Sequence, residues 1–136
     1  MVADVRARGA SPILFTPVRR RKFDAAGQLV DTHGEYPDIV RAVAAEQGVP
    51  LVDMHKSTAA LLSRFGRDSS AALFLQVEPG ETPNYPTGVH DNTHFRPRGA
   101  LEVAHLAAEG LHALHIASVD RLLAPDLSAG ALPATR

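Results

Sequence analysis

Pro12-Ile-Leu-Phe-Thr16 is a short apolar run between Gly9 and Pro17, and it reads as a strand buried on both faces, as in a parallel sheet. Downstream, Pro37 stands where a first helical position would be, with Ile39, Val40, Val43 and Ala44 on one helical face and Gly48 and Pro50 as the stop. Leu51-Val-Asp-Met54 follows as a second short strand. Strand 12–16, helix 37–47 and strand 51–54 make a βαβ unit, whose crossover is expected to be right-handed with its strands parallel.

The surrounding residues extend this α/β reading. Val2 to Arg8 look like the tail of a helix leading into the first strand, an unusual way for a domain to start. Residues 17–36, with Pro17, Gly27, Gly34 and the cluster Arg19-Arg20-Arg21-Lys22, mark a long irregular loop; four consecutive cations are expected to be a solvated surface feature. A helix is expected over about 55–65, from Thr58, Leu61, Leu62 and Phe65, with Gly66 as its stop. Ala71 to Val77 fits a strand or a helix end, and the proline-rich segment from Glu78 to Phe95 reads as a loop. Pro97 opens the last strong helix, with an apolar stripe at Leu101, Ala104, Ala108 and Leu111. Residues 120–136 read as a flexible tail.

Composition narrows the function. The 136 residues balance 14 Lys+Arg against 15 Asp+Glu, a net charge of -1, which offers no general attraction for nucleic acid or an anionic membrane. Without Cys there is no disulfide framework, thiolate nucleophile or Cys-based zinc site. The N-terminus is charged throughout and does not read as a secretory signal, and no apolar run approaches the ~18 residues of a membrane span. A chain of this length holds one core, but it is short for an α/β enzyme.

The chemistry concentrates in His90-Asp91-Asn92-Thr93-His94-Phe95. An Asp three residues before a His on a turn can fold back to accept the imidazole Nδ1–H, leaving Nε2 outward as a general base. That is the base-and-orienter half of a Ser-His-Asp arrangement. The plainer alternative makes Asp91 a loop cap and His94 a surface residue, and a further one joins His90, Asp91 and His94 around a divalent metal. His55, His105, His112 and His115 read as ordinary helix-surface or boundary residues.

Four segments together carry a family resemblance: Thr-Pro-Val-Arg-Arg-Arg-Lys-Phe (16–23), Asp-Thr-His-Gly-Glu-Tyr-Pro (31–37), Val-Pro-Leu-Val-Asp-Met (49–54) and Pro-Asn-Tyr-Pro-x-Gly-x-x-Asp-Asn-Thr-His-Phe (83–95). In this order they resemble the C-terminal half of rhamnogalacturonan acetylesterase-like SGNH (GDSL) hydrolases, over residues 1 to about 116. The resemblance implies a three-layer αβα, flavodoxin-like fold with a parallel sheet, truncated at the N-terminus, residues 1–119 being the hydrolase part. It implies ester hydrolysis on acetylated pectic polysaccharide or another small ester, no cofactor and no metal, with Asp91 orienting His94 as general base. It also brings Tyr85, Arg20 and His33 forward as substrate contacts, and it implies a family that is often secreted.

The departures are equally informative. The family's Ser nucleophile lies in a Gly-Asp-Ser block, yet none of Ser11, Ser57, Ser63, Ser69, Ser70, Ser118 or Ser128 follows Gly-Asp. The two asparagines, Asn84 and Asn92, both fall in the late segment and do not stand for the family's oxyanion Asn. Nucleophilic catalysis needs an activated hydroxyl near the base and donors for the oxyanion. The expectation is a chain that holds the base, is inactive alone and lacks an N-terminal half as its partner, with a metal-binding or non-catalytic carbohydrate-binding module as alternatives.

Overall fold

The computed structural model describes residues 1–123; residues 124–136 lie outside the described residues. A short helix α1 (Val2–Ala7) leads to strand β1 (Leu14–Phe15), helix α2 (Tyr36–Gln47) and strand β2 (Leu51–Val52). β1 and β2 pair in parallel, Leu14 opposite Leu51 and Phe15 opposite Val52, so the expected βαβ unit is present with strands shorter than the apolar runs. β2 stops early because Asp53 turns to cap the next helix, its side chain accepting from the Lys56 N–H at 3.1 Å. In α2, Pro37 occupies the first turn, Gly48 closes the helix at φ 59°, and Ala44 is buried while Ile39 is half exposed.

Helix α3 (Met54–Ser69) is longer than expected, but Gly66 breaks it at φ 73° and ψ 175°, a conformation that only glycine adopts freely. A 3-10 turn (Ser70–Leu73) then enters strand β3 (Phe74–Val77), so the ambiguous 71–77 stretch is helical first and extended after. The segment read as loop from Glu78 to Phe95 is corrected over its last part. Val89–Phe95 forms strand β4, antiparallel to β3, so the second strand pair departs from the expected all-parallel arrangement. Its residues, Val-His-Asp-Asn-Thr-His-Phe, do not alternate between apolar and polar, and the strand is defined by its pairing with β3 rather than by local pattern.

Helix α4 (Pro97–His112) starts at the expected proline, but its inner face differs from the expected stripe. Leu101 is 58% exposed, whereas Gly99 packs on the Leu73 backbone, Gly110 on Val52, and Leu106 against the core. Small residues let α4 approach closely, a signal that a hydrophobic stripe does not contain. The core itself joins Leu61, Leu62, Leu73 and Phe74, flanked by Phe23, Leu29, Phe65, Phe95 and Leu106. Of the tail expected over 120–136, Asp120 closes a short helix α5 (Ala117–Asp120), and residues 124–136 lie outside the described residues.

β1 is also less covered than expected. Phe15 is 41% exposed, and β1 has β2 as its one partner among the described residues. Parallel sheets are ordinarily covered on both faces, and here the exposed Phe15 leaves β1 partly uncovered. Among the described residues no helix is long and apolar enough to cross a membrane.

The close approach of α4 generates a test of the packing. A Cβ on Gly99 would collide with the Leu73 carbonyl oxygen, which also accepts the Arg96 N–H at 3.0 Å. Gly99→Ala is expected to destabilise the chain by about 2 kcal/mol or more, read from the urea midpoint, whereas Leu101→Ala is expected to cost less than about 1 kcal/mol.

Candidate active site

The Asp-x-x-His segment sits on a distortion of the β3–β4 ladder. Phe74 pairs with Phe95 and Gln76 with His90, so Asp91 to His94 stand opposite Leu75 alone and bulge out of the sheet. Asp91 shapes that bulge. Its Oδ1 accepts the Thr93 N–H at 2.6 Å and the His94 N–H at 3.0 Å, while Oδ2 lies 2.6 Å from His94 Nδ1. Those bonds, the His94 backbone N–H foremost and then its ring, pull the Asp91 carboxyl down to about 2. An ionised carboxylate only accepts, so the Nδ1 proton lies between the two residues and the neutral ring keeps its lone pair on Nε2. The His94 side chain is 76% exposed, which leaves Nε2 accessible.

The two readings of Asp91 therefore describe one geometry, because the same carboxylate caps the turn and orients the ring. His90 does not join them. Its Nδ1 lies 3.1 Å from Gln76 Oε1, and among the described residues His90, Asp91 and His94 do not gather at metal-ligand spacing. Phe95, beside the dyad, packs on Phe74 with ring centroids 4.9 Å apart and belongs to the core. Tyr85 lies in the turn before β4 and is 39% exposed.

A second polar cluster forms where the parallel strands end. Thr16, just after β1, donates to Asp53 Oδ1 at 2.9 Å and accepts the His55 N–H at 2.8 Å. Asp53, just after β2, takes Nε of Arg41 at 2.9 Å and NH2 at 3.0 Å. The guanidinium bond is the largest cause that holds the Asp53 carboxyl down at about 2. His55, read as an ordinary boundary residue, is buried here with Nε2 3.2 Å from Asp31 Oδ2. His33 joins the same cluster, its ring edge-on to His55 at 5.6 Å and its Nδ1 buried without a partner. Burial is the main cause that pushes the His33 imidazole below its ordinary value.

Asp31, His33 and His55 hold ligand-type atoms within 4.8 Å of one another, a spacing that a divalent ion could use. A guanidinium already stands there. Arg19 NH1 is 2.7 Å from Asp31 Oδ2 and 3.0 Å from His55 Nε2, so an added metal ion would face a like charge at contact range. This also corrects the solvated reading of the basic cluster. The Arg19 side chain is 10% exposed and ion-paired, and Arg21 bonds Asn92, Ser70 and the Arg67 carbonyl, whereas Arg20 and Lys22 are exposed. Sequence reasoning missed Asp31, His55 and Arg19. The rule that α/β sites gather at the carboxyl ends of parallel strands would have pointed to Thr16, Asp53 and His55.

A parallel βαβ unit feeding an Asp–His bulge ahead of a helix places the chain in the α/β class, with the αβα SGNH hydrolase fold. The crystal structure of YxiM from Bacillus subtilis superposes with a TM-score of 0.66 at 26% identity, covering 85% of this chain and 29% of that one. No family model matches the chain. Rhamnogalacturonan acetylesterase RhgT of Bacillus subtilis is 45% identical over 118 residues, which is 87% of this chain and 51% of the relative. The probable rhamnogalacturonan acetylesterase YesY of the same organism is 29% identical over 122 residues, 90% of this chain and 52% of the relative. The chain is thus similar to rhamnogalacturonan acetylesterases on an SGNH hydrolase fold, and it spans about half the length of the curated relatives that it matches.

The Asp53 network sets an acid limit on stability. A carboxyl lowered in the folded state contributes stability that is full above its ordinary value of 3.8 and is lost as pH falls through about 2. Urea unfolding across that range is expected to show wild type losing its advantage over Asp53→Asn as pH drops, with the two converging near pH 2.

Proposed function

We propose that this chain is the base-bearing part of a carboxylic-ester hydrolase that removes acetyl groups from acetylated pectic polysaccharide such as rhamnogalacturonan. The observation that carries the reading is the 2.6 Å contact between Asp91 and His94 Nδ1, with the far side of the ring open. In this mechanism His94 Nε2 takes the proton of a serine hydroxyl as that oxygen attacks the acetyl carbonyl. His94 then delivers the proton to the departing sugar oxygen. Asp91, ionised at neutral pH, holds the ring and stabilises the imidazolium that forms between those steps.

The nucleophile and the oxyanion donors are assigned to a segment outside these 136 residues. Two observations support that: no serine follows Gly-Asp, and among the described residues no hydroxyl bonds to His94 Nε2. The unpaired side of β1, with Phe15 exposed beside it, is where such a segment would add the next strand. Residues 1–119 form the hydrolase part in this proposal. Arg20 and Tyr85 are exposed and are proposed to meet the sugar, the guanidinium suiting a uronate carboxylate. His33 would offer the 17% of its side chain that its cluster leaves uncovered.

Acetate release from acetylated rhamnogalacturonan tests the proposal. The chain alone is expected to show no turnover, and co-production with a Gly-Asp-Ser-bearing N-terminal half of a relative is expected to restore it. In that assembly His94→Ala and Asp91→Asn are each expected to lower kcat by about 10³- to 10⁴-fold. Turnover by the chain alone would place the nucleophile among its own residues, and full activity of the His94→Ala assembly would overturn the assignment of the base.

A further inference from the structure

The Asp91–His94 bulge needs a restraint beyond its own strand. Four residues of β4 face one of β3, so Asn92 and Thr93 have no partner in the ladder to hold them in place. The restraint comes from the irregular loop between β1 and α2. The Arg21 backbone N–H donates to the Asn92 carbonyl at 2.9 Å, and its NH1 donates to Asn92 Oδ1 at 2.8 Å. The same guanidinium is anchored on the far side, its Nε donating to the fully buried Ser70 Oγ at 3.0 Å and its NH2 to the Arg67 carbonyl. Gln76 Nε2 closes the other end of the bulge on the Asp91 carbonyl at 2.7 Å.

We infer that Arg21 is a positioning residue for the Asp91–His94 pair, acting through Asn92 and braced by Ser70 and Arg67. This rests on the hydrolase reading above. The role depends on a planar fork that donates in several directions at once. A lysine at the same place keeps the charge and loses that geometry. Simple charge attraction is a poor substitute explanation, because the groups that lower the Asp91 carboxyl are His94 and Thr93, with Arg21 not among them. Arg21 therefore reaches the pair by fixing where the backbone runs.

Nuclear magnetic resonance on the full 136-residue chain separates this role from general stability. In wild type the Asp91 carboxyl carbon is expected to titrate near 2, with a downfield Nδ1–H proton on His94. In Arg21→Lys the titration is expected to move up toward 3.8 and the proton signal to be lost, while the Phe74 and Phe95 amide resonances stay in place. Asn92→Ala removes an acceptor at an exposed position, so it keeps the test alive should Arg21→Lys unfold, and the same shift is expected. A folded variant of either kind with Asp91 still titrating near 2 overturns the inference, since a merely structural Arg21 would leave the native titration unmoved. A wild-type chain that titrates at 3.8 without the downfield proton overturns the Asp–His pair itself, and the hydrolase reading with it.

Discussion

Asp53 ends β2 by turning its carboxylate onto the elements around it. One oxygen takes the Thr16 hydroxyl from the end of β1 and the Lys56 N–H at the start of α3, and Arg41 of α2 reaches both oxygens. A single side chain thus joins both strands of the parallel pair to the crossover helix and to the helix that follows. Two-residue strands offer few ladder bonds, so the alignment of β1 and β2 depends on this polar junction as well as on backbone pairing. The junction lies at the carboxyl ends of the strands, where α/β folds place their chemistry.

From there the loop between β1 and α2 runs in two directions. Arg19 turns inward to Asp31 and His55, and its backbone N–H is accepted by Thr58 at 2.9 Å. Two residues later Arg21 turns outward to the Asp91–His94 bulge and to Ser70. A run of four cations with one appearance in the sequence therefore does three jobs: an internal counter-ion, a brace, and exposed charge at Arg20 and Lys22. The loop couples the parallel pair to the antiparallel β3–β4 pair, which share no strand.

What was legible in the sequence follows from local physics. Pro37 and Gly48 bound α2, Pro97 opens α4, and the apolar runs at 12–16 and 51–54 locate the parallel strands. Asp91 and His94 were legible because a spacing of three residues on a turn brings a carboxylate within reach of an imidazole. The inner face of α4 was not, since Gly99 and Gly110 face inward for closeness of approach while Leu101 faces out. Strand β4 was also hidden, because a bulged segment rich in polar residues has no period of two for pattern reading to find.

Local sequence by itself determined the turn chemistry of the Asp-x-x-His pair, the βαβ order and the lack of a Gly-Asp-Ser nucleophile, since each depends on residues close in the chain or on simple presence. Tertiary structure alone decided that Asp31 and His33 meet His55, that Arg19 meets Asp31, and that Arg21 meets Asn92 across 71 positions. Hydrogen bonds and ion pairs act over about 3 Å, and no pattern along a chain reveals which distant side chains folding will bring within that range.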